Sequence, residues 1–345
     1  KAGPSKTFSL APGATAVSAV FCAEDGGYVL VNLKDATVVD FALIVEGSGA
    51  APVYHRANIP NTLLPERLSA GECARVSVRN AGNAWVSGEF SVAYDVDDNN
   101  PPESDFPDAS NTGPSGPLAP SGTIFTSFHG QVIQNLDING EIRVQHNNVK
   151  IRNVRVRSQG GAAIYNHNNT GLVIEDCELD GQGVNAEAAV QFHNYTMRRC
   201  NIHGYGEGPR VNGNVLLEDN YIHGFANFIA QGAHADGIQG TGGSNVTIRH
   251  NTVLIEPDGA NGGIFFSTST GSNILIENNL VGGGNWAIDV DTSRYTDVRI
   301  IDNHITTTIP YHEKGGYFGP IGPTAPGWIV SGNVWHDGPN AGNPI

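Results

Sequence analysis

The octapeptide VTIRHNTV, Val246 to Val253, decides how the chain is read. Alternating apolar residues lead to a single Asn251, and a second short apolar segment follows it. Copies of the phrase run through the second two-thirds of the sequence: VIQNLDI ending at Ile138, VKIRNVRV at Val156, LVIEDCEL at Leu179, YTMRRCNI at Ile202, VLLEDNYI at Ile222, ILIENNLV at Val281, VRIIDNHI at Ile305 and WIVSGNVW at Trp335. The pivots are Asn135, Asn153, Cys177, Cys200, Asn220, Asn251, Asn279, Asn303 and Asn333, spaced 18 to 31 residues apart. Alternation of period 2 predicts strands. Recurrence at this spacing predicts stacked repeats. A strand pair joined by one residue turns sharply there, and Asn tolerates the left-handed conformation a corner needs. Stacked amides can also bond along the stack. Unrelated hairpins in a sandwich would not need nine aligned pivots.

This pattern resembles the right-handed parallel β-helix of the pectate-lyase-like superfamily over about residues 122–345. The resemblance implies an all-β fold of about nine coils, three strands per coil, with an Asn ladder along one corner. It implies polysaccharide chemistry without choosing a reaction.

The chain has 345 residues, with 39% hydrophobic and 15% charged residues and 44 Gly. Such a composition suits strands and tight turns better than helices. No apolar run is long enough to span a membrane. A chain that begins at Lys1 and not Met fits a processed, exported form. The net charge of −15 argues against a nucleic-acid partner. An anionic polymer is repelled as well, unless local positive charge or a bound cation intervenes. Of the four cysteines, Cys177 and Cys200 sit on adjacent rungs, where a spacing of roughly 4.8 Å permits a disulfide. Cys22 and Cys73 fall in the other domain and can pair only with each other. Two such pairs predict secretion, with four buried thiols as the alternative.

Residues 1–98 lack the ladder. Short alternating segments such as AVSAVFCA, GYVLVNL and ARVSVRN predict an antiparallel β-sandwich stapled by Cys22 and Cys73. Trp85 reads as a core residue before it reads as a sugar platform. Asp95, Asp97 and Asp98 read as an acidic turn more than a calcium site. Residues 99–121, with six prolines from Pro101 to Pro120, read as a linker, and residues 122–345 form the β-helix.

Within each coil the first strand carries an inward apolar residue: Ile142, Ile164, Val190, Val211, Ile238, Ile264 and Ile288. The next residue then points outward. That row reads Arg143, Tyr165, Gln191, Asn212, Gln239, Phe265 and Asp289, with His167, His193 and Asp291 two places on. Tyr165, Gln191, His193, Asn212, Gln239, Phe265 and Asp289 are the candidate substrate-binding residues of a polar, aromatic groove. Loops before this strand lengthen at Gly224–Ala235, Glu256–Gly262 and Thr306–Gly327, where function concentrates.

The densest cluster is HADGIQ, His234 to Gln239. It resembles the N-T-D-G-[IF]-D segment of polygalacturonase-type hydrolases, whose catalytic Asp matches Asp236. The Asp pair expected one coil later is replaced by Gly262 and Gly263, and the Gly-His-Gly motif is missing. Hydrolysis needs two carboxylates, and Asp236 with Asp289 or Asp291 is the pair the sequence offers, about 10 Å apart by strand spacing. β-Elimination needs a base and a charge-neutralising group. Candidate bases are His234, Arg210 and Lys314, with Tyr311 and Lys314 on the long late loop; Arg and Lys bases are what the resemblance implies. Asp236, Asp289, Asp291 and Glu256 are candidate Ca2+ ligands. NNT at Asn168, NYT at Asn194 and NVT at Asn245 match the glycosylation pattern at a frequency expected of an Asn-rich chain. The first expectation is a secreted polysaccharide lyase acting on a uronic-acid glycan. The alternatives are a glycoside hydrolase resting on Asp236 and a non-catalytic glycan-binding or adhesion protein.

Overall fold

The computed structural model describes residues 2–22, 27–34, 39–46, 55–57, 61–68, 72–80, 86–96, 106–166, 168–232, 234–310 and 312–345. Trp85, Asp97, Asp98, His167 and Tyr311 lie outside them. The chain forms two compact units, Lys1–Asp105 and Phe106–Ile345.

In the first unit, Ala2–Leu10, Val86–Val96, Gly27–Lys34 and Asn61–Leu68 form one antiparallel sheet. Thr15–Val17, Cys73–Arg79, Val39–Val45 and His55–Ala57 form the other. Alternation along Cys73–Arg79 buries Ala74, Val76 and Val78 completely. Cys22 pairs in register with Cys73, and the two are joined by a disulfide.

The second unit is a parallel β-helix, in which each strand pairs with its counterpart one coil away. All seven inward residues read from the sequence are fully buried, in one core that runs the length of the stack. At the ladder corner, Asn220 donates to Asn251 (2.8 Å), Asn251 to Asn279 (3.0 Å), Asn279 to Asn303 (2.9 Å) and Asn303 to Asn333 (2.9 Å). Each Nδ2 also reaches backbone carbonyls; that of Asn279 bonds Ile248 and Glu277. The amides thus satisfy carbonyls that the turn leaves without a strand partner.

Two details of the corner differ from the sequence reading. The left-handed residue is the one before the ladder amide: Asp176, Arg199, Asp219, His250, Asn278 and Asp302 have φ between 48° and 58°. Asn135 and Asn153 belong to that left-handed column, with φ of 58° and 52°. Pairing of Arg152 with Glu175 and of Arg155 with Glu178 puts Asn153 beside Asp176 and Val154 beside Cys177. The inward column therefore runs from the partly buried Leu136 through the buried Val154, Cys177, Cys200 and Asn220. The two chemistries sit one residue apart, and Asn serves both.

The expected Cys177–Cys200 disulfide is corrected: both cysteines are buried free thiols. Each sulfur turns to a carbonyl, that of Glu175 at 3.1 Å for Cys177 and that of Arg198 at 3.2 Å for Cys200. They take the place of ladder amides instead of bonding to each other. A second amide column, not foreseen, lines another corner: Asn214 donates to Asn194 (2.9 Å), Asn245 to Asn214 (3.1 Å) and Asn273 to Asn245 (2.9 Å). Asn194 and Asn245, read as glycosylation matches, are members of it.

Much of the Pro-rich stretch is also not a free linker. Phe106 packs on His250, His304 and His336. Further on, the Gly113 amide bonds the Arg199 carbonyl and the Ser115 amide bonds Asn153 Oδ1. Ala119–Ser121 then pairs with Leu136–Ile138. Residues 106–121 are thus a strap that runs back along the ladder corner from the late coils to the first.

Candidate functional site

Strand pairing places the candidate residues in columns. Arg143 pairs with Tyr165, Tyr165 with Gln191, Arg210 with Gln239, Gln239 with Phe265 and Phe265 with Asp289. Asn212 is therefore not in the outward row; Arg210 holds that place. Val190 pairs with Pro209, a buried residue that carries no alternation signal, so the register is two residues earlier than the sequence pattern predicts. Asn212 follows the strand and donates its backbone amide to Phe192.

The column of Asp236 is different. Asp236 pairs with Gly262, Gly262 with Trp286 and Trp286 with Gly319. On its other side lies Glu207, from strand Asn201–Val211. Glu207 is a candidate residue that the sequence did not bring out. It sits in GEGPR, a run of glycines and proline without alternation. Its only signal is its place three residues before Arg210.

These residues form one network. Arg210 donates to Glu207 Oε2 through Nε (2.9 Å) and Nη2 (2.6 Å), and to Gln239 Oε1 (2.9 Å). Gln239 Nε2 donates to Asp236 Oδ2 (2.9 Å) and faces His234 Nδ1 at 3.3 Å. Asp236 is fully buried and Glu207 is 4% exposed, whereas His234 is exposed. Burial, and then the Glu207 charge, raise the Asp236 carboxyl to about 7, against the weaker pull of Asn261, Gln239 and Arg210. Asp236 Oδ1 finds no hydrogen bond among the described residues. Ligand atoms of Glu207, His234 and Asp236 lie within 4.8 Å of one another, so these three could hold a metal ion.

The remaining candidates lie elsewhere. Glu256 accepts the amides of Gly224 (2.9 Å) and Phe225 (3.1 Å) and so fixes the start of the long loop. Asp291 caps Ser293 (2.8 Å) and pairs with Arg294 (3.0 Å). Among the described residues, Asp289, Asp291 and Glu256 do not converge as a ligand group. Burial and then Asp291 raise the Asp289 carboxyl. Lys314 is exposed on the late loop. Arg143 lies over the Tyr165 ring at 4.8 Å, and His193 meets Asn168 at 3.1 Å.

Parallel strands wound around one apolar core, with a buried amide column at a corner, define an all-β protein of the parallel β-helix class. Residues 140–316 match the family model described as Right handed beta helix region. The chain belongs to that family. Comparison with curated proteins gives no match. Among solved structures, the chain is similar to the catalytic domain of a GH87 alpha-1,3-glucanase in complex with nigerose. There the identity is 11%, with 95% of this chain and 92% of that one covered, at a TM-score of 0.28. It is also similar to the catalytic unit of the thermostable GH87 alpha-1,3-glucanase from Streptomyces thermodiastaticus strain HF3-3, at 14% identity over 96% and 74% of the two chains, with a TM-score of 0.24. Likeness this distant carries no argument about activity.

Proposed function

We propose that the protein is a carbohydrate-active enzyme that hydrolyses glycosidic bonds of a neutral polysaccharide at Glu207 and Asp236. The observation that carries this reading is the pairing of two carboxyls in opposite environments. Asp236 is kept protonated up to about pH 7, while Glu207 is in an ion pair with Arg210. Environments that differ in this way divide acid and base roles between like groups. Asp236 donates its proton to the glycosidic oxygen as the bond breaks. Glu207 attacks the anomeric carbon as that bond breaks, and water, giving its proton back to Asp236, then cleaves the glycosyl–Glu207 ester to release the sugar. Their separation, within 4.8 Å, is nearer the ~5–5.5 Å of enzymes that form a covalent glycosyl intermediate than the ~6.5–9.5 Å that leaves room for water. Because Asp236 is buried, substrate must displace part of its cover. The preceding loop, Gly224–Ala235, packs Phe225 and Ile229 on a small cluster of Ala235, Ile255 and Ala260, and Phe225 touches the main core as well.

The charge supports a neutral substrate over the uronic polymer first expected. Net charge is −15, and the guanidinium of Arg210 is committed to Glu207 and Gln239. A residue so bound is poorly placed as a base or as an anchor for a uronate. Elimination has one observation in its favour: a cation held by Glu207, His234 and Asp236 would supply the missing positive charge. The Cys22–Cys73 disulfide supports export to an oxidising compartment.

The test is a panel of neutral and uronic polysaccharides, each with and without Ca2+ or Mn2+, with products read by mass spectrometry. Hydrolysis gives new reducing ends and products that have gained water. Elimination gives products one water lighter, with ultraviolet absorbance. Full activity in Asp236→Asn, or intact glycans throughout, would overturn the proposal.

A further inference from the structure

Beyond the acidic site, along the same column, lies a cluster of aromatic side chains that the proposed chemistry does not use. Trp286 stands two rungs from Asp236 with only Gly262 between them, a distance of roughly 10 Å along the stack. Tyr317 and Phe318, on the late loop, are each 59% exposed. Phe318 lies 5.9 Å from Trp286 and 4.9 Å from Tyr317, centroid to centroid. Apolar rings left this exposed gain free energy when a partner takes them out of water, and contiguous exposed apolar groups mark binding surfaces.

The cluster is also built to stay in place. The Tyr317 and Phe318 amides donate to the carbonyls of Gly284 and Asn285, both at 2.8 Å. A side chain at Gly319 would run into the Trp286 indole, so the loop backbone packs directly on that ring. Asp289, on the same strand as Trp286, and Phe265, its neighbour one coil back, extend the surface with a hydrogen-bonding group and another ring. Gly262, between Asp236 and Trp286, is buried, with Gly284 packed on its backbone, so the glycan that reaches both must pass over this glycine pair.

We infer that Trp286, Tyr317 and Phe318 form a subsite that stacks on a pyranose ring of the glycan, about two rungs from the bond that is cut. This rests on the reading of Asp236 and Glu207 as the cleavage site. The occupant follows from the shape of the surface. Flat apolar faces beside a carboxylate suit a sugar ring, which offers C–H groups on its faces and hydroxyls at its edge. The subsite sets where a long chain lies and so favours long substrates over short ones.

The test uses the full chain carrying Asp236→Asn, so that glycan binds without being consumed. Binding of the best panel polysaccharide is compared with and without Tyr317→Ala and Phe318→Ala added, and separately with Trp286→Ala. The expected result is about tenfold weaker binding, with an unchanged thermal midpoint for the exposed pair of substitutions. In the active background the same pair should lower kcat/KM on long chains and leave the shortest cleavable oligosaccharide unaffected. Equal binding by the platform variants overturns the subsite alone. Platform-dependent binding of a glycan that the wild type leaves intact overturns the cleavage reading and keeps the surface. A wild type that binds no glycan overturns both.

Discussion

Asp236 and Glu207 carry the same functional group in different surroundings, and the difference has consequences that can be measured separately. Asp236 is raised from 3.8 to about 7, so the folded state holds a proton that the unfolded chain releases near pH 4. Stability contributed by this group is present below its unfolded pKa and is lost as pH rises through 7. Asp236→Asn removes that cost. We expect the variant to be more stable than the wild type at pH 8 by about 1–3 kcal/mol and equal to it below pH 4, checked by urea unfolding at both. Activity should fall by about 10²–10⁴-fold in the same variant. Wild-type activity should decline as pH rises through 7, when the donor loses its proton. Stabilisation together with inactivation is the signature of a strained functional group; a structural Asp would lose stability instead. Asp236, Gln239 and His234 were legible in HADGIQ because polar residues there interrupt an apolar strand. Glu207 was not, since glycines and a proline hide its register. Its role appears only when Arg210 pairs with Gln239.

The ladder shows at the level of elements what one residue type does for a corner. Asn279 donates to Asn303, Ile248 and Glu277 and accepts from Asn251. Asn279→Ala would orphan buried carbonyls, at about 1–3 kcal/mol each, so a loss of about 3 kcal/mol is expected in chemical denaturation. Asn245 belongs to the exposed column, where water replaces lost partners. Asn245→Ala should cost under about 1 kcal/mol. Equal costs would mean that burial does not distinguish the columns. Where the ladder passes to Cys177 and Cys200, thiols face carbonyls. Titration of the denatured, unreduced protein should therefore find two thiols per chain, one for each free cysteine. The phrase repeat revealed that corners exist and how often. It did not separate the left-handed position from the amide position, because Asn is suited to both. The strap was illegible for another reason. Proline and glycine lack alternation, and the contacts of Phe106 are with residues more than a hundred positions away.

Across the whole molecule, buried histidines along the stack contribute to how it responds to acid. Burial, and then His336, lower His304 to about 4; burial, and then His203, lower His223 to about 4. Both groups are below the unfolded value of 6.5, so the unfolded chain binds more protons between pH 6.5 and 4. Stability from each is present above pH 6.5 and is lost as pH falls toward 4. The two residues are partly exposed, and screening reduces each contribution to on the order of 1 kcal/mol. His203, Asp236, Asp289 and Asp302 work in the other direction. His203 is raised mainly by its hydrogen bond to Glu178, and Asp236 gains stability as acid protonates it. The net acid response is the sum of these opposed contributions. The difference between wild type and His304→Gln isolates the term: the gap between their unfolding free energies should change by about 1 kcal/mol between pH 7 and pH 4, in favour of the variant at pH 4. His223→Gln should behave alike. The two should add, because the rings sit at different coils and share no contact, His304 against Phe106 and His336 and His223 against Tyr221 and His203. A gap that stays constant with pH would show that these rings are neutral packing elements and that the acid limit of the β-helix is set elsewhere.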